Sequence, residues 1–414
     1  MPGSAKVFLG ENFGNCWVRF LLQARYHSWC PVNSWALNQK NSSNNSQSRK
    51  KTCCSSLQYL ESWYQCKWMT RFCKLVMVSL AHPFSQLLHH QYLLKCMCVK
   101  ANFVYCSGYK AEYKQRSRGR TDGCATFYKQ KKFSCYNSVP VDFFEDGCLV
   151  LDRPNVALLL LLEPFGNGRD GRQTQSSSTC ICVANTHLLY NPGRGDVKLA
   201  QLMYLFAAID EVAGMSAEPR PKHHPIILCG DLNLQPFSEL YNFIIDGSLH
   251  FEGLPIKEMS GQQYDCGGRS LNSQYFLPPS VDITDFCQFF QVVEHRRNAS
   301  RRSHQWRCYK ESFCSGTAHH ALDLASAYDN TRPQALTSWI GNESCGALVD
   351  YIFYSALDRS DGLASRRMVE GLTLSHVLEL PTQEHVRQNG GLPNNRESSD
   401  HLMLMAWFIL STTG

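Results

Sequence analysis

Three things are scarce in this chain of 414 residues: there is no C-x-x-C pair among its 20 cysteines, no apolar run of membrane-spanning length, and almost no acid in the first 105 residues. Each absence excludes something. With C-x-C only at Cys96/Cys98 and Cys180/Cys182, the cysteines indicate neither a zinc ribbon nor a disulfide framework, and reduced thiols of a cytosolic or nuclear protein are expected. The apolar stretches at 76–80 and 155–163 stop well short of the roughly 18 to 20 residues a membrane span needs. Arg19 and Arg25, around Phe20, Leu21 and Leu22, match a cleavable leader poorly, so a soluble chain without a membrane span is expected. The shortage of acid is local. Residues 1–105 hold twelve Lys/Arg against Glu11 and Glu61, a balance of +10, whereas residues 106–414 hold 29 Lys/Arg against 33 Asp/Glu, a balance of −4. Two differently composed pieces therefore meet near residue 105.

What the chain does have is core-forming material. Hydrophobic residues make up 43% and charged residues 18%, enough for a large layered domain and too apolar for overall disorder. Residues 1–105 carry five of the eight tryptophans, an Asn/Ser-rich stretch around 40–56 and no sustained period, so they are read as an atypical, poorly ordered basic segment. From 106 the pattern sharpens. Short strands are expected at 109–114 and 124–129, joined by a basic turn of Arg116, Arg118, Gly119 and Arg120. NVALLLLLE at 155–163 is too apolar for a one-sided strand and predicts a central strand covered on both faces. A strand at 180–188 leads into a helix at 197–213, with Leu199, Leu202, Leu205, Phe206, Ile209 and Val212 at helical spacing. A strand at 225–229 and a helix at 240–245 follow. The region 250–345 is weakly patterned, and its basic run Arg296, Arg297, Arg301 and Arg302 reads as solvated. Strands return at 348–355 and 401–410, which makes the whole a layered α/β or α+β domain.

Four polar clusters stand at expected strand ends: Asn185-Thr186-His187, Gly230-Asp231-Leu232-Asn233, Asp350-Tyr351 and Ser398-Ser399-Asp400-His401. Each alone is weak, since a lone histidine after an apolar strand is usually a hydrogen-bonded core residue and GDxN can be a simple Asx turn. Together they have a chemical logic. Phosphodiester hydrolysis needs a divalent ion, an activated water and donors for developing charge. Asp and Asn oxygens are the hard ligands Mg²⁺ prefers, and two histidines supply acid, base and electrophilic roles.

The order N-T-H, G-D-x-N, D-Y-I-F, S-x-D-H resembles the endonuclease/exonuclease/phosphatase superfamily, which implies an α+β, four-layer αββα sandwich like that of DNase I and nocturnin. More narrowly, TDGCATFYK at 121–129, CVANTHLLYNPGRGDVKLAQ at 182–201, PIILCGDLN at 225–233, VDYIFYSA at 349–356 and GLPNNRESSDHL at 391–402 look like the Angel family, the homologue one type most of all. The resemblance covers about residues 106–414. It implies a phosphoesterase of RNA 3′ ends that either removes a 2′,3′-cyclic phosphate or releases nucleotides 3′ to 5′ like the related deadenylases. Also implied are Mg²⁺ or Mn²⁺ as cofactor, mRNA and a translation initiation factor as partners, and a cytoplasmic, perinuclear or nuclear location.

Residue by residue, the resemblance makes Asp231 the base for the attacking water and Asn233 the amide beside phosphate or metal. His187 becomes a donor to a phosphate oxygen, His401 the group facing the scissile phosphate, Asp350 its partner, and Asp400 an acid on the metal side. Substrate contacts fall to Asn185, His187 and Asn233, and metal contacts to Asp231, Asn233 and Asp400. Two departures weigh against full activity. The family's opening strand with an asparagine, and its next strand ending L-Q-E with the principal Mg²⁺ ligand, have no match, since neither Glu11 nor Glu61 stands in such a setting. GDLN is followed by Leu234 and Gln235, where serine and a small apolar residue are usual. The expectations are a weakened metal site, a non-catalytic RNA- or factor-binding protein as the rival, and one sheet with its first strands missing or replaced. That sheet is expected to receive both TDGCATFYK and NVALLLLLE, and its open edge is expected to make the chain oligomeric or insoluble.

Overall fold

The computed structural model describes residues 16–23, 73–80, 108–167, 173–175, 180–215, 223–264, 267–299, 313, 315–330, 336–340, 345–356, 371–394 and 399–411. In chain order the strands are β1 (Cys16–Gln23), β2 (Cys73–Leu80), β3 (Tyr109–Gln115), β4 (Gly123–Lys129), β5 (Phe133–Asp142), β6 (Val156–Asn167), β7 (Gln173–Gln175), β8 (Ile181–His187), β9 (Ile226–Asp231), β10 (Ser248–His250), β11 (Thr317–His319), β12 (Leu324–Ser326), β13 (Ser338–Ile340), β14 (Cys345–Ala347), β15 (Asp350–Ser355), β16 (Gly371–Val377) and β17 (Leu404–Ser411). The helices are α1 (Gly195–Ala213), α2 (Glu239–Asp246), α3 (Phe290–Ala299) and α4 (Gln383–Gln388). The fold is α+β, with two large sheets face to face. Sheet I runs β16-β17-β1-β2-β4-β3, and sheet II runs β12-β15-β9-β8-β6-β5, with β7 added beside β6.

The leucine run behaves as its composition requires. Leu158, Leu160 and Leu162 of β6 point into the core between the sheets, against Leu404, Ala406, Phe408 and Leu410 of β17. Ala157, Leu159 and Leu161 point the other way, into a core shared with Leu199, Leu202 and Phe206 of α1 and Phe243 of α2. Truncating any of these leucines to alanine costs about 2 to 5 kcal/mol, because packed neighbours on either face cannot collapse into the void. Helix α2 starts where Ser238 Oγ accepts the Tyr241 N–H at 3.2 Å, and it ends at Gly247, whose φ of 72° only glycine takes without cost. Helices α1 and α2 thus cover the outer face of sheet II, and sheet I covers its inner face. None of the described helices is long and apolar enough to cross a membrane, and Cys135, Cys148, Cys180, Cys182, Cys229 and Cys287 are not in disulfides.

Sheet I corrects two expectations. TDGCATFYK and NVALLLLLE do not share a sheet: β4 lies in sheet I and β6 in sheet II, facing each other across the core. Both are apolar on the inward side, and sequence alone does not separate pairing edge to edge from packing face to face. The first strands of sheet I are replaced rather than missing, because β1 and β2 come from residues 1–105 and fill the gap between β17 and β4. Short apolar runs such as FLL and LVMV are ambiguous until a partner edge selects the extended form. With that gap closed, the expected oligomerisation loses its stated cause. The rest of residues 1–105, including Glu11, Glu61 and the expected disorder, lies outside the described residues.

Direction matters as well as presence. β1 is antiparallel to both β17 and β2, with Leu22 opposite Leu404 and Gln23 opposite Leu75. So β2 enters the sheet, at Cys73, on the side where β17 begins, and neither CWVRFLLQ nor CKLVMVSL contains a carboxylate.

Candidate active site

Strand register assembles the site. In sheet II, Asp350 of β15 stands opposite Asp231 of β9, and Asp231 stands opposite His187 of β8. Two residues further into each strand, Ile352, Cys229 and, four from His187, Val183 belong to the core between the sheets. Side chains alternate along a strand, so the three polar groups continue these apolar rows to the mouth of the crevice. The fourth group, His401, arrives on the lead-in to β17 and is fixed by a bridge to Ser338 at the start of β13. Asp231, Asp350, His187 and His401 are all buried.

The bonds define two pairs. His401 Nδ1 lies 2.6 Å from Asp350 Oδ2, its Nε2 lies 3.2 Å from Ser338 Oγ, and its backbone N–H donates to Ser399 Oγ at 3.1 Å. The Asp350 backbone N–H donates to Thr337 Oγ1 at 3.0 Å. An Asp on Nδ1 sets the tautomer and turns Nε2 towards the crevice. In the second pair His187 Nε2 stands 3.5 Å from Asp231 Oδ2, close enough for electrostatics but too long for a good hydrogen bond. Asp231 Oδ1 accepts the Asn233 N–H at 3.1 Å, and Asn233 Nδ2 donates to the Leu188 carbonyl at 3.1 Å, which leaves the amide oxygen as the end for a ligand.

The remaining sequence-predicted residues fall elsewhere. Asn185 is fully buried, two residues below His187, and its Nδ2 donates to the Ala125 carbonyl of β4 at 3.0 Å; it ties the sheets together at the crevice floor. Asp400 offers its carbonyl to the Trp339 N–H at 2.9 Å and stands outside the group of potential metal donors. That group is Asp231, Asp350 and His401, whose donor atoms lie within 4.8 Å of one another. Two carboxylates and an imidazole suit a small divalent cation that keeps several waters, and Mn²⁺ tolerates the nitrogen better than Mg²⁺ does. Among the described residues sheet I adds no acid to this set. Arg296, expected in solvent, is instead half-buried and donates to Asp210 Oδ2 at 2.6 Å.

Five supporting residues are not singled out by the sequence. Asn155 Nδ2 donates to the His187 carbonyl at 2.9 Å, and Gln201 Nε2 donates to Asn155 Oδ1 at 3.3 Å. Lys198 Nζ donates to the Asn233 carbonyl at 2.6 Å and to Gln262 Oε1 at 2.5 Å. Burial pulls its pKa down to about 7, against the pull of the Asp231 carboxylate. A signal existed for Lys198 and Gln201, which sit at i and i+3 on the apolar stripe of α1. Ser338 lies in the weakly patterned region and gave none.

No family model matches the chain. Angel homolog 2 of Homo sapiens is 38% identical over 320 residues, covering 73% of this chain and 56% of that protein. Angel homolog 1 of Homo sapiens is 36% identical over 363 residues, covering 74% and 53%, so the two types match about equally well. The chain spans about half the length of these curated relatives. A crystal structure of ANGEL2, a 2′,3′-cyclic phosphatase, in complex with adenosine-2′,3′-vanadate superposes with a TM-score of 0.58 at 37% identity, over 74% of this chain and 76% of that one.

Proposed function

The chain belongs to the Angel family of the endonuclease/exonuclease/phosphatase superfamily, and on that premise we propose that it is a phosphoesterase of RNA 3′ ends which opens a terminal 2′,3′-cyclic phosphate. The observation that carries this reading is the convergence of the His401–Asp350 and His187–Asp231 pairs at one crevice mouth. Asp231 takes the proton of the attacking water, its other oxygen being steadied by the Asn233 N–H. A water–phosphorus bond forms and one ring P–O bond breaks, the electron pair leaving with the ribose oxygen. His401, oriented by Asp350, stands where it can protonate that oxygen, and His187 donates to a non-bridging phosphate oxygen. Positioned acids and bases are worth about 10² to 10⁴-fold each. Asp231 and Asp350, with the Asn233 amide beside them, would hold Mg²⁺ or Mn²⁺, which when bound would neutralise charge on the phosphate, while the His401 imidazole keeps its part as the acid.

The absence of a carboxylate from β1 and β2 favours a second reading, in which the same crevice retains RNA, or the chain a translation initiation factor, with little turnover. The test is mass spectrometry of short oligoribonucleotides incubated with the purified chain and Mg²⁺ or Mn²⁺. Gain of one water by the cyclic-phosphate end, with no shortening of a 3′-hydroxyl oligoadenylate, is the expected result. Shortening instead would establish the exonuclease alternative. No change in either, with binding retained, would favour the non-catalytic reading.

A further inference from the structure

Lys198 sits one turn into α1, among Val197, Leu199 and Leu202, with no exposed surface. An ammonium group in such a place costs several kcal/mol before its partners are counted, where a leucine or methionine would cost nothing. Its two acceptors show what the charge does there. One is the carbonyl of Asn233, a non-glycine residue at φ 51°, in the left-handed region that L-residues enter at a cost of about 1 to 2 kcal/mol. That conformation swings the Asn233 N–H back onto Asp231 Oδ1 and its side chain onto the Leu188 carbonyl. The other acceptor, Gln262 Oε1, also accepts from Ser260 Oγ at 3.3 Å, while the Ser260 carbonyl accepts the Gln235 N–H at 2.8 Å. Both ends of the turn after β9 are thus tied to a single ammonium group on α1.

We propose that Lys198 is a positioning residue for the phosphoesterase reaction: by locking the Asn233 peptide in its left-handed form it fixes the aim of the Asp231 carboxylate without touching substrate. This rests on the reading of Asp231 as the base. A base displaced by even one ångström loses much of its effect, so a fall of roughly 10- to 100-fold in turnover is expected when the lock is removed.

Lys198→Met keeps the shape and removes the donors. In steady-state assays on a cyclic-phosphate oligonucleotide, kcat should fall by that factor with KM within about twofold, while the unfolding midpoint stays or rises because a buried charge has gone. In Lys198→Ala, propylammonium should restore part of kcat and propanol should not. An unchanged kcat in a folded Lys198→Met, or a loss matched by an equal loss of folded protein, would overturn the proposal. Should the wild-type chain turn over nothing, the functional reading fails but the lock is still measurable. The Asn233 amide resonance should then move and exchange faster with solvent in Lys198→Met, and an unaltered resonance would overturn the proposal on its own.

Discussion

The two sheets divide the work unequally. Sheet II supplies His187, Asp231 and Asp350 from three adjacent strands in one register row. Sheet I supplies a wall, with β1 and β2 closing its gap but bringing no carboxylate to the crevice. The difference separates two requirements that one site usually hides. Aiming groups at a phosphate is a matter of register within a sheet, and the two acids within reach of a cation, Asp231 and Asp350, come from that same sheet.

The comparison can be tested from its strongest side downward. Asp231→Asn and His401→Ala should each lower the rate of cyclic-phosphate opening by about 10² to 10⁴-fold in single-turnover assays, and Glu61→Gln should leave it unchanged. Survival of activity in Asp231→Asn with loss in Glu61→Gln would move the base to the first 105 residues and reverse the roles of the two sheets. Calorimetric titration should find Mg²⁺ affinity at least about 10- to 100-fold below that of a relative retaining the family glutamate, a loss that even an outer partner of a ligand can cause. Tight stoichiometric binding would mean that sheet I contributes after all.

The outer face of sheet II offers a pH test. His320 donates from Nε2 to the Phe243 carbonyl and accepts at Nδ1 from the Leu322 N–H, so it is held neutral, and burial pushes its pKa down to about 4. The unfolded chain takes up this proton near pH 6.5 and the folded chain only near 4, so stability is full above 6.5 and drains away as pH falls between them. The difference is about 3 kcal/mol, and chemical denaturation from pH 7 to 4 should show it in the wild type and a shallower slope in His320→Gln. Smallest of all, Asn185→Ala removes the amide that joins β8 to the Ala125 carbonyl and should cost about 1 to 3 kcal/mol in the same assay, with Mg²⁺ affinity unaltered.

Where the information is local, the sequence carried it. β6 and α1 follow from period and composition, and His187, Asp231 and Asp350 stand out because His187 and Asp231 close strongly apolar strands and Asp350 opens one. Lys198 and Gln201 interrupt the apolar stripe of α1, but their roles are explained only by acceptors distant in sequence: Asn233, Gln262 and Asn155. The roles of Ser338 and Thr337 depend on β13 meeting the approach to β17, and that of Arg296 on a carboxylate 86 residues earlier in the chain. β1 and β2 were illegible for the same reason: only the empty place beside β17 and β4 makes strands of them.

The parallel pairing of β8 and β9 has a practical side. Because α1 carries the chain back from His187 to the start of β9, Gly214 and His223 meet at the end of the sandwich opposite the crevice, roughly 25 Å away along the helix. A fluorophore, an affinity handle or an inserted domain could be spliced there and report on the molecule from behind, leaving the chemistry in front of it undisturbed.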